Sequence, residues 1–189
     1  YQLPNNTAGR FEVIVGAILT QNTSWSNVQG VLQLFKARKL FSPKKVLSCP
    51  EEELAALIRS SGYYNQKQRK LRAVCHFLIK HTCLKTGCPP KRTELLAIWG
   101  IGPETADSIL LYAFHAPVFV IDAYTRRLSM RLNPALSDSS YEALQSFFLK
   151  GLPLKSSLFN EYHALIVRQA KEHCRARPLC CGCSLASLC

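Results

Sequence analysis

A turn between two helical segments holds the residues of this chain best suited to bind an anion. An apolar run with helical spacing stops at Gly100-Ile101-Gly102, and Pro103 opens a second helix, where its missing N–H is not needed. Glycines allow a tight turn and leave no Cβ to block a neighbour. The amides of Gly100, Gly102 and Thr105 are expected to face outward at a helix N-terminus, which is an anion site. An ordinary corner between two helices is the alternative.

The C-terminal segment is a second place where residue types and spacing indicate chemistry. The chain has nine cysteines, and five of them lie within residues 174–189. A disulfide scaffold spreads its bridges through a small, loop-rich chain, whereas cysteines crowded at one end are typical of a metal site in a reducing compartment. We therefore expect these thiols to be metal ligands.

The charge of the chain is unevenly distributed. The formal net charge is +12, and no acidic residue lies between Glu53 and Glu94. Such a stretch attracts polyanions, since solubilising surfaces normally mix both signs. Nucleic acid is the favoured partner, and an anionic membrane surface or an acidic protein is the alternative. The basic residues of this stretch are Arg59, Lys67, Arg69, Lys70, Arg72, Lys80, Lys85, Lys91 and Arg92.

Length and composition allow one or two compact units with a hydrophobic core, because the chain has 189 residues and is 48% hydrophobic. No apolar run is long enough to span a bilayer, and none has the pattern of a signal peptide. The first residues, Tyr1-Gln2-Leu3-Pro4, look like the continuation of a longer chain. We therefore expect an N-terminal truncation.

The spacing of apolar residues predicts an all-α fold. Residues 117–121 form a short extended apolar segment that leads to Asp122 at the start of a further helix. A helix cap is the commonest role of such an aspartate. Other expected caps are Asn22 or Thr23, Asp138, and Ser156 or Ser157. The predicted helices before residue 117 cover 11–19, about 25–35, a short stretch from 43, 50–61, 65–81, 91–98 and 103–115.

Four motifs in a fixed order resemble those of the helix-hairpin-helix DNA glycosylases of the endonuclease III superfamily. Two of them are Gly100-Ile101-Gly102-Pro103-Glu104-Thr105-Ala106, the hairpin, and Val120-Ile121-Asp122, which follows it. The other two are Leu19-Thr20-Gln21-Asn22-Thr23 and Gly62-Tyr63-Tyr64-Asn65-Gln66-Lys67. The resemblance covers essentially the whole chain, and its details look closest to the 3-methyladenine DNA glycosylase III branch.

This resemblance implies a two-lobed, endonuclease III-like helical fold that ends in an iron–sulfur cluster loop. One helical domain is expected over residues 10–115, with the helix-hairpin-helix at about 91–115. The second is expected over residues 116–189 together with residues 1–9. The anion at the hairpin is then a DNA phosphate.

The resemblance also implies that Asp122 is the catalytic residue. Breaking an N-glycosidic bond builds positive charge on the sugar, and a nearby carboxylate stabilises that charge and positions or deprotonates the attacking water. Family members that also cut the backbone carry a Schiff-base lysine where this chain has Glu104, and a carboxylate cannot form an imine. The nearest preceding lysine in the sequence is Lys91. A glycosylase without strong lyase activity is therefore expected.

Gln21 and Tyr63 match the family's two DNA-inserting residues. A flipped nucleotide leaves a hole in the duplex, which an amide and an aromatic wedge can fill. For Tyr63, an ordinary surface loop position is the alternative. Trp25 is expected one helical turn beyond Gln21, where it would stack on an extruded cationic purine, with a core tryptophan as the alternative. Trp99 is expected to pack beneath the hairpin, and Tyr1 is the only aromatic residue upstream of residue 11.

The cysteine spacing departs slightly from that of the family, in which gaps of six, two and five residues are usual. Cys174, Cys180, Cys183 and Cys189 leave gaps of five, two and five, whereas Cys181 in place of Cys180 gives six, one and five. The two-residue gap favours Cys180, since neighbouring thiolates then reach adjacent irons. A structural [4Fe–4S] cluster is expected, with zinc as the alternative. It would hold a basic loop against DNA, namely Lys171, Arg175 and Arg177.

We therefore expect a DNA glycosylase of base excision repair that removes a damaged base, an alkylated purine, from double-stranded DNA. The protein is expected to act as a monomer inside the cell, cytoplasmic and nucleoid-associated if bacterial, without a membrane partner. A glycosylase for oxidised pyrimidines or mismatches is one alternative. A DNA-binding module without chemistry is another, against which the Asp122 carboxylate argues.

Overall fold

The computed structural model describes residues 4–189, and none of these residues lies in a β-strand. They form two compact units, residues 4–116 and residues 117–189. The all-α fold predicted from the apolar spacing is confirmed. Residues 1–3, and with them Tyr1, lie outside the described residues.

The unit of residues 4–116 contains eight described α-helices. A 3₁₀ turn, Arg59–Ser61, joins the fourth helix to the fifth. The helices are α1 (Thr7–Leu19), α2 (Trp25–Ala37), α3 (Pro43–Ser48), α4 (Glu51–Leu57), α5 (Tyr64–Lys80), α6 (Cys83–Thr86), α7 (Arg92–Leu96) and α8 (Pro103–Phe114).

Helix α1 is the centre of this unit. It packs mainly against α8 and also against α5. Its inward residues are fully buried: Phe11, Ile14, Val15, Ile18 and Leu19. Removing this apolar area from water fixes the end of α1, which leads directly into the segment that carries Gln21.

Residues 4–9 belong to the unit of residues 4–116, and the sequence had placed them with the second domain. The side chain of Asn6 caps α1 by accepting a hydrogen bond from the Gly9 amide at 2.8 Å. His115 Nε2 lies 3.2 Å from the carbonyl oxygen of Pro4. These contacts tie the segment to both ends of its own unit.

The unit of residues 117–189 contains three α-helices: α9 (Ala123–Leu132), α10 (Tyr141–Gly151) and α11 (Ser156–Glu172). Two 3₁₀ turns, Pro134–Leu136 and Ala186–Leu188, complete its regular structure. Helix α9 packs against α11. This contact brings the start of α9 beside the middle of α11.

Aromatic rings form the core of this second unit. Phe119 stacks on Phe148 with ring centroids 4.3 Å apart, and it meets Phe159 and Tyr162 edge-on at 5.5 and 5.7 Å. Both geometries are favoured arrangements of ring quadrupoles. Because Phe119 lies in the extended segment before α9, its burial holds Asp122 at the start of that helix.

Two predicted helix caps differ from those observed. Helix α10 is capped by Ser140, whose Oγ accepts a hydrogen bond from the Ala143 amide at 3.1 Å, and Asp138 lies in the preceding turn. Helix α11 has Lys155 at its cap position, so Ser156 is already helical. In both places the sequence offers adjacent polar residues, and cap preference alone does not choose between them.

No helix within residues 4–189 is both long and apolar enough to cross a membrane.

Candidate functional site

The turn between α7 and α8 has the geometry that its two glycines suggest. Gly100 adopts φ +80°, and a Cβ there would come within 2.6 Å of the Lys70 side chain. Gly102 is the cap residue of α8, and no side chain caps this helix end. Since Pro103 lacks an N–H, the amides of Glu104 and Thr105 are the first that α8 can offer to an anion.

An ion pair fixes the two helices of the hairpin against each other. Arg92 in α7 donates to both carboxylate oxygens of Asp107 in α8, at 2.7 and 3.0 Å. The Asp107 side chain is fully buried, and the Arg92 side chain is 29% exposed, so a two-pronged, charge-assisted contact anchors the buried carboxylate. The hairpin is therefore a rigid support for whatever binds at its tip.

Gln21 is held against the hairpin. Its Nε2 donates to Thr105 Oγ1 at 2.8 Å and to the Gly100 carbonyl at 3.3 Å. Its Oε1 accepts a hydrogen bond from Lys70 Nζ at 2.6 Å. The structure thus brings three of the sequence-predicted residues, Gln21, Gly100 and Thr105, into one cluster.

Lys70 was not predicted as a site residue, because the nearest lysine that precedes Glu104 in the sequence is Lys91. Lys70 lies in α5, far from the hairpin in sequence, but its side chain packs over Gly100. Helix packing, which the motif does not encode, brings this amine to the turn.

Trp99 also differs from expectation, since it is 52% exposed. Its ring lies against Arg69, and the guanidinium carbon is 4.7 Å from the ring centroid.

Tyr63 lies at the cap position of α5 and is 67% exposed. Its backbone is left-handed, with φ +47°, and Gly62 before it has φ +71°. A left-handed backbone is strained for a residue with a side chain, and such positions cluster at functional sites. The side chain is therefore presented to solvent on a tightly turned loop.

Trp25 is the first residue of α2, and it is 39% exposed. The expected helical turn from Gln21 to Trp25 is wrong, because α1 ends at Leu19 and Asn22 is left-handed with φ +53°. Ser24 therefore precedes the helix in place of the expected Asn22 or Thr23. The indole packs over Gly16, where a Cβ would be 3.6 Å from the ring.

Asp122 is both a helix cap and a partner of a histidine. Its Oδ1 accepts a hydrogen bond from the Thr125 amide at 2.7 Å, and its Oδ2 lies 3.4 Å from His163 Nε2 in α11. The side chain is 15% exposed. Burial alone would raise its pKa, but the hydrogen bonds and charge of His163 and the Thr125 amide outweigh it and hold the Asp122 pKa below its ordinary value.

His163 was also missed, because no motif marks a histidine in the middle of a long amphipathic helix. Only the packing of α9 on α11 brings it to Asp122. The pair gives the unit a carboxylate that stays ionised at neutral pH and is fixed in orientation from two sides. Such a group can stabilise a developing positive charge.

The four cysteines predicted as ligands line a single cavity of about 340 Å³, and Cys181 does not line it. Two of their sulfur atoms accept hydrogen bonds: Cys174 Sγ from Arg131 Nη1 at 3.1 Å, and Cys183 Sγ from Gln169 Nε2 at 3.0 Å. Donors of this kind stabilise metal-bound thiolates. Within residues 4–189, no three cysteine, histidine or acidic side chains approach closely enough to form a metal group. The four thiols are the type of donor that an iron–sulfur cluster takes, although the structure does not draw them together as a ligand set.

The profile of the HhH-GPD superfamily of base excision DNA repair proteins matches residues 15–153. The chain therefore belongs to this superfamily, whose members are DNA glycosylases. A protein of Methanocaldococcus jannaschii assigned by name to the DNA repair glycosylases is 42% identical over 187 residues, covering 95% of this chain and 85% of its own length. Endonuclease III of Bacillus subtilis is 28% identical over 181 residues, which cover 95% of this chain and 80% of its own length.

Solved structures agree with this assignment. The 3-methyladenine DNA glycosylase MagIII of H. pylori, bound to 1,N6-ethenoadenine, superimposes with a TM-score of 0.79 at 30% identity, over 90% of this chain and 87% of that one. A non-covalent endonuclease III–DNA complex superimposes with a TM-score of 0.83 at 28% identity. The match covers 99% of this chain and 84% of that one. The predicted family and the endonuclease III-like fold are thus confirmed.

Proposed function

We propose that this protein is a monofunctional DNA glycosylase that hydrolyses the N-glycosidic bond of an alkylated purine, with Asp122 as its catalytic residue. The observation that carries the proposal is the Asp122 carboxylate, held ionised and oriented between Thr125 and His163. Its position before α9 corresponds to the catalytic aspartate of the family motif.

The chemistry follows from the charge that forms on the sugar. As the bond from C1′ to the base nitrogen breaks, its electron pair leaves with the base and C1′ becomes positive. Asp122 stabilises that charge and positions a water, whose oxygen bonds to C1′ while its proton passes to the carboxylate or to solvent. The products are the free base and an abasic site.

Glu104 supports a reaction with water over one with an enzyme amine. A Schiff base requires a nitrogen nucleophile, and Glu104 occupies the position of the family's lysine. The Lys70 side chain packs at Gly100 of the hairpin, but its Nζ donates a hydrogen bond to Gln21 Oε1 at 2.6 Å. We therefore assign Lys70 to holding Gln21.

DNA is proposed to bind through the hairpin and two inserted side chains. The α8 N-terminus, with Gly100, Gly102 and Thr105, would hold a phosphate, since helix dipole and amides both favour an anion there. Gln21 would contact the orphaned base, and Tyr63, 67% exposed, would act as the wedge. DNA complexes of endonuclease III among the related structures support this role.

Trp25 supports the assignment of the substrate as an alkylated purine. Its partly exposed indole can stack on an electron-poor, cationic base and attract it by cation–π interaction. Such a base is a good leaving group, so a carboxylate at the sugar suffices without a strong acid. The similarity to MagIII bound to an ethenoadenine favours the same class of lesion.

Cys174, Cys180, Cys183 and Cys189 are proposed to hold a [4Fe–4S] cluster. When bound, the cluster would serve a structural purpose, cross-linking the C-terminal segment. Arg131 and Gln169 would stabilise its thiolates through the hydrogen bonds already present. The ordered segment would then present Arg175 and Arg177 to DNA, beside Lys171 at the end of α11.

The experiment that tests this function is a base-release assay on duplexes that each carry one lesion. We expect release of 3-methyladenine and related alkylated purines, with strand cleavage only after alkaline treatment. Trp25→Ala should reduce this release far more than it reduces binding to an abasic site. Release of oxidised pyrimidines or mismatched thymine, with alkylated purines ignored, would overturn the substrate assignment; the endonuclease III relatives make this the second candidate.

A further inference from the structure

Lys67 in α5 is a buried lysine that the proposed chemistry does not use. The residue is 1% exposed, and its Nζ donates to the carbonyl oxygen of Leu19 at 2.8 Å and to that of Ser61 at 2.6 Å. Burying an ammonium group is costly unless it is hydrogen-bonded, and an apolar side chain of similar length would fill the space without that cost. A specific structural purpose for Lys67 is therefore indicated.

The two carbonyls belong to the two segments that carry the proposed inserting side chains. Leu19 is the last residue of α1, two positions before Gln21, and the helix dipole makes its carbonyl a good partner for a cation. Ser61 ends the 3₁₀ turn, two positions before Tyr63. One ammonium group thus joins both segments from beneath.

Both segments have a backbone that needs support. Asn22, next to Gln21, has φ +53°, and Tyr63 has φ +47°. A left-handed conformation at such residues persists only where the surrounding structure holds it. Lys67 also donates its backbone N–H to the Tyr63 carbonyl at 3.0 Å, so it holds this turn at two points.

We propose that Lys67 is a positioning residue, which fixes the Gln21 and Tyr63 segments at the spacing that insertion into DNA requires. Lys67 is too deeply buried to touch DNA itself. Holding two loops in their bound arrangement before binding lowers the entropic cost of binding. The inference rests on the inserting roles proposed for Gln21 and Tyr63.

The test uses the variant Lys67→Met and measures two dissociation constants, one for undamaged duplex DNA and one for a duplex with a tetrahydrofuran abasic analogue. The quantity compared is the first constant divided by the second. We expect this ratio to fall about tenfold, the size of one charge-assisted hydrogen bond, while affinity for undamaged DNA changes little. Lys80→Met is the matched control, because it removes the same charge from an exposed position on the same helix. It should lower both affinities alike and leave the ratio unchanged.

A second arm separates positioning from general loosening of the fold. In a Gln21→Ala, Tyr63→Ala background, Lys67→Met should cause no further loss of the ratio, since Lys67 acts only through those residues. A destabilising substitution would instead add its effect to theirs. Thermal unfolding identifies a variant that does not fold, and Lys67→Gln then replaces Lys67→Met in both arms.

The outcomes distinguish the two hypotheses. If Gln21→Ala and Tyr63→Ala leave the ratio at the wild-type value, the proposed inserting roles are wrong. If Gln21→Ala and Tyr63→Ala lower the ratio of dissociation constants but a folded Lys67 variant keeps the wild-type ratio, the Lys67 inference is wrong. An additive loss in the double background also rejects that inference.

Discussion

The N-termini of α8 and α9 have nearly the same backbone conformation and different cap residues. Gly102 before α8 has φ −90° and ψ 177°, and Asp122 before α9 has φ −89° and ψ 179°. Each is followed three residues later by a buried threonine, Thr105 and Thr125. The two helix ends differ in the side chain of the cap residue. Gly102 before α8 has none, whereas the Asp122 carboxylate before α9 accepts a hydrogen bond from the Thr125 amide.

This comparison shows how one element serves two purposes. A helix N-terminus favours negative charge, which either an external anion or the helix's own cap can supply. At α8 the cap residue supplies no such charge, which agrees with the phosphate proposed to bind there. At α9 the Thr125 amide instead orients the Asp122 carboxylate. The second oxygen of that carboxylate is directed toward His163.

The largest expected effect comes from Asp122→Asn. Asparagine is as good a cap as aspartate, so the fold should persist, but the negative charge at the sugar is lost. We expect single-turnover base release to fall roughly 10³-fold, with DNA affinity nearly unchanged. Asp138→Asn, at an exposed position, is the control and should retain full activity. Weak binding with normal turnover would reverse the assignment of Asp122.

The cysteine assignment is tested by comparing Cys183→Ser with Cys181→Ser. Cys183 lines the cavity, whereas Cys181 does not. The wild-type protein should be yellow-brown and contain iron and sulfide in equal amounts, about four of each. Cys183→Ser should lose the colour and Cys181→Ser should keep it. Zinc in a colourless wild-type protein would show that the cluster assignment is wrong, and the reverse pattern in the variants would show that the ligand assignment is wrong.

Gly102→Asp gives α8 the cap that α9 already has. Its backbone conformation accepts aspartate, and nothing lies within 4 Å of a new Cβ. The free energy of unfolding should rise by only a few tenths of a kcal/mol, since glycine is itself a tolerated cap residue. DNA affinity should fall about tenfold, because the new carboxylate competes with the phosphate. Gly102→Asn is the neutral control and should affect affinity less. Unchanged affinity in the aspartate variant would mean that α8 binds no phosphate.

The smallest expected effect concerns pH. The Asp122 pKa is below its ordinary value, so the carboxylate stabilises the fold above its unfolded-state pKa, and this contribution is lost as pH falls through the folded-state pKa. His163→Gln removes the charge that helps to lower that pKa. The acid limb of thermal stability and of base release should therefore move to higher pH. An acid limb identical to that of wild type would show that His163 does not act on Asp122.

The sequence was sufficient to predict the parts that depend on local residue patterns. Gly100-Ile101-Gly102-Pro103 marks a turn before a helix because glycine and proline restrict backbone conformation wherever they occur. Asp122 at a helix start follows from the same kind of reasoning. These features and the all-α fold are present in the structure.

The parts that the sequence could not predict depend on packing between distant helices. Lys70 at the hairpin, His163 at Asp122 and Lys67 beneath two loops each lie on a helix whose pattern shows only an inward and an outward face. The expected helical link from Gln21 to Trp25 failed because a left-handed Asn22 interrupts the chain there.

The central claim, that water guided by Asp122 and no enzyme amine attacks the sugar, is tested most directly by borohydride trapping. The wild-type protein reacts in a single turnover with a duplex carrying 3-methyladenine in the presence of sodium borohydride. Free base and an intact abasic strand should form without any covalent protein–DNA complex, since Glu104 cannot form an imine. A trapped complex that Lys70→Met abolishes would contradict the account and identify Lys70 as the nucleophile.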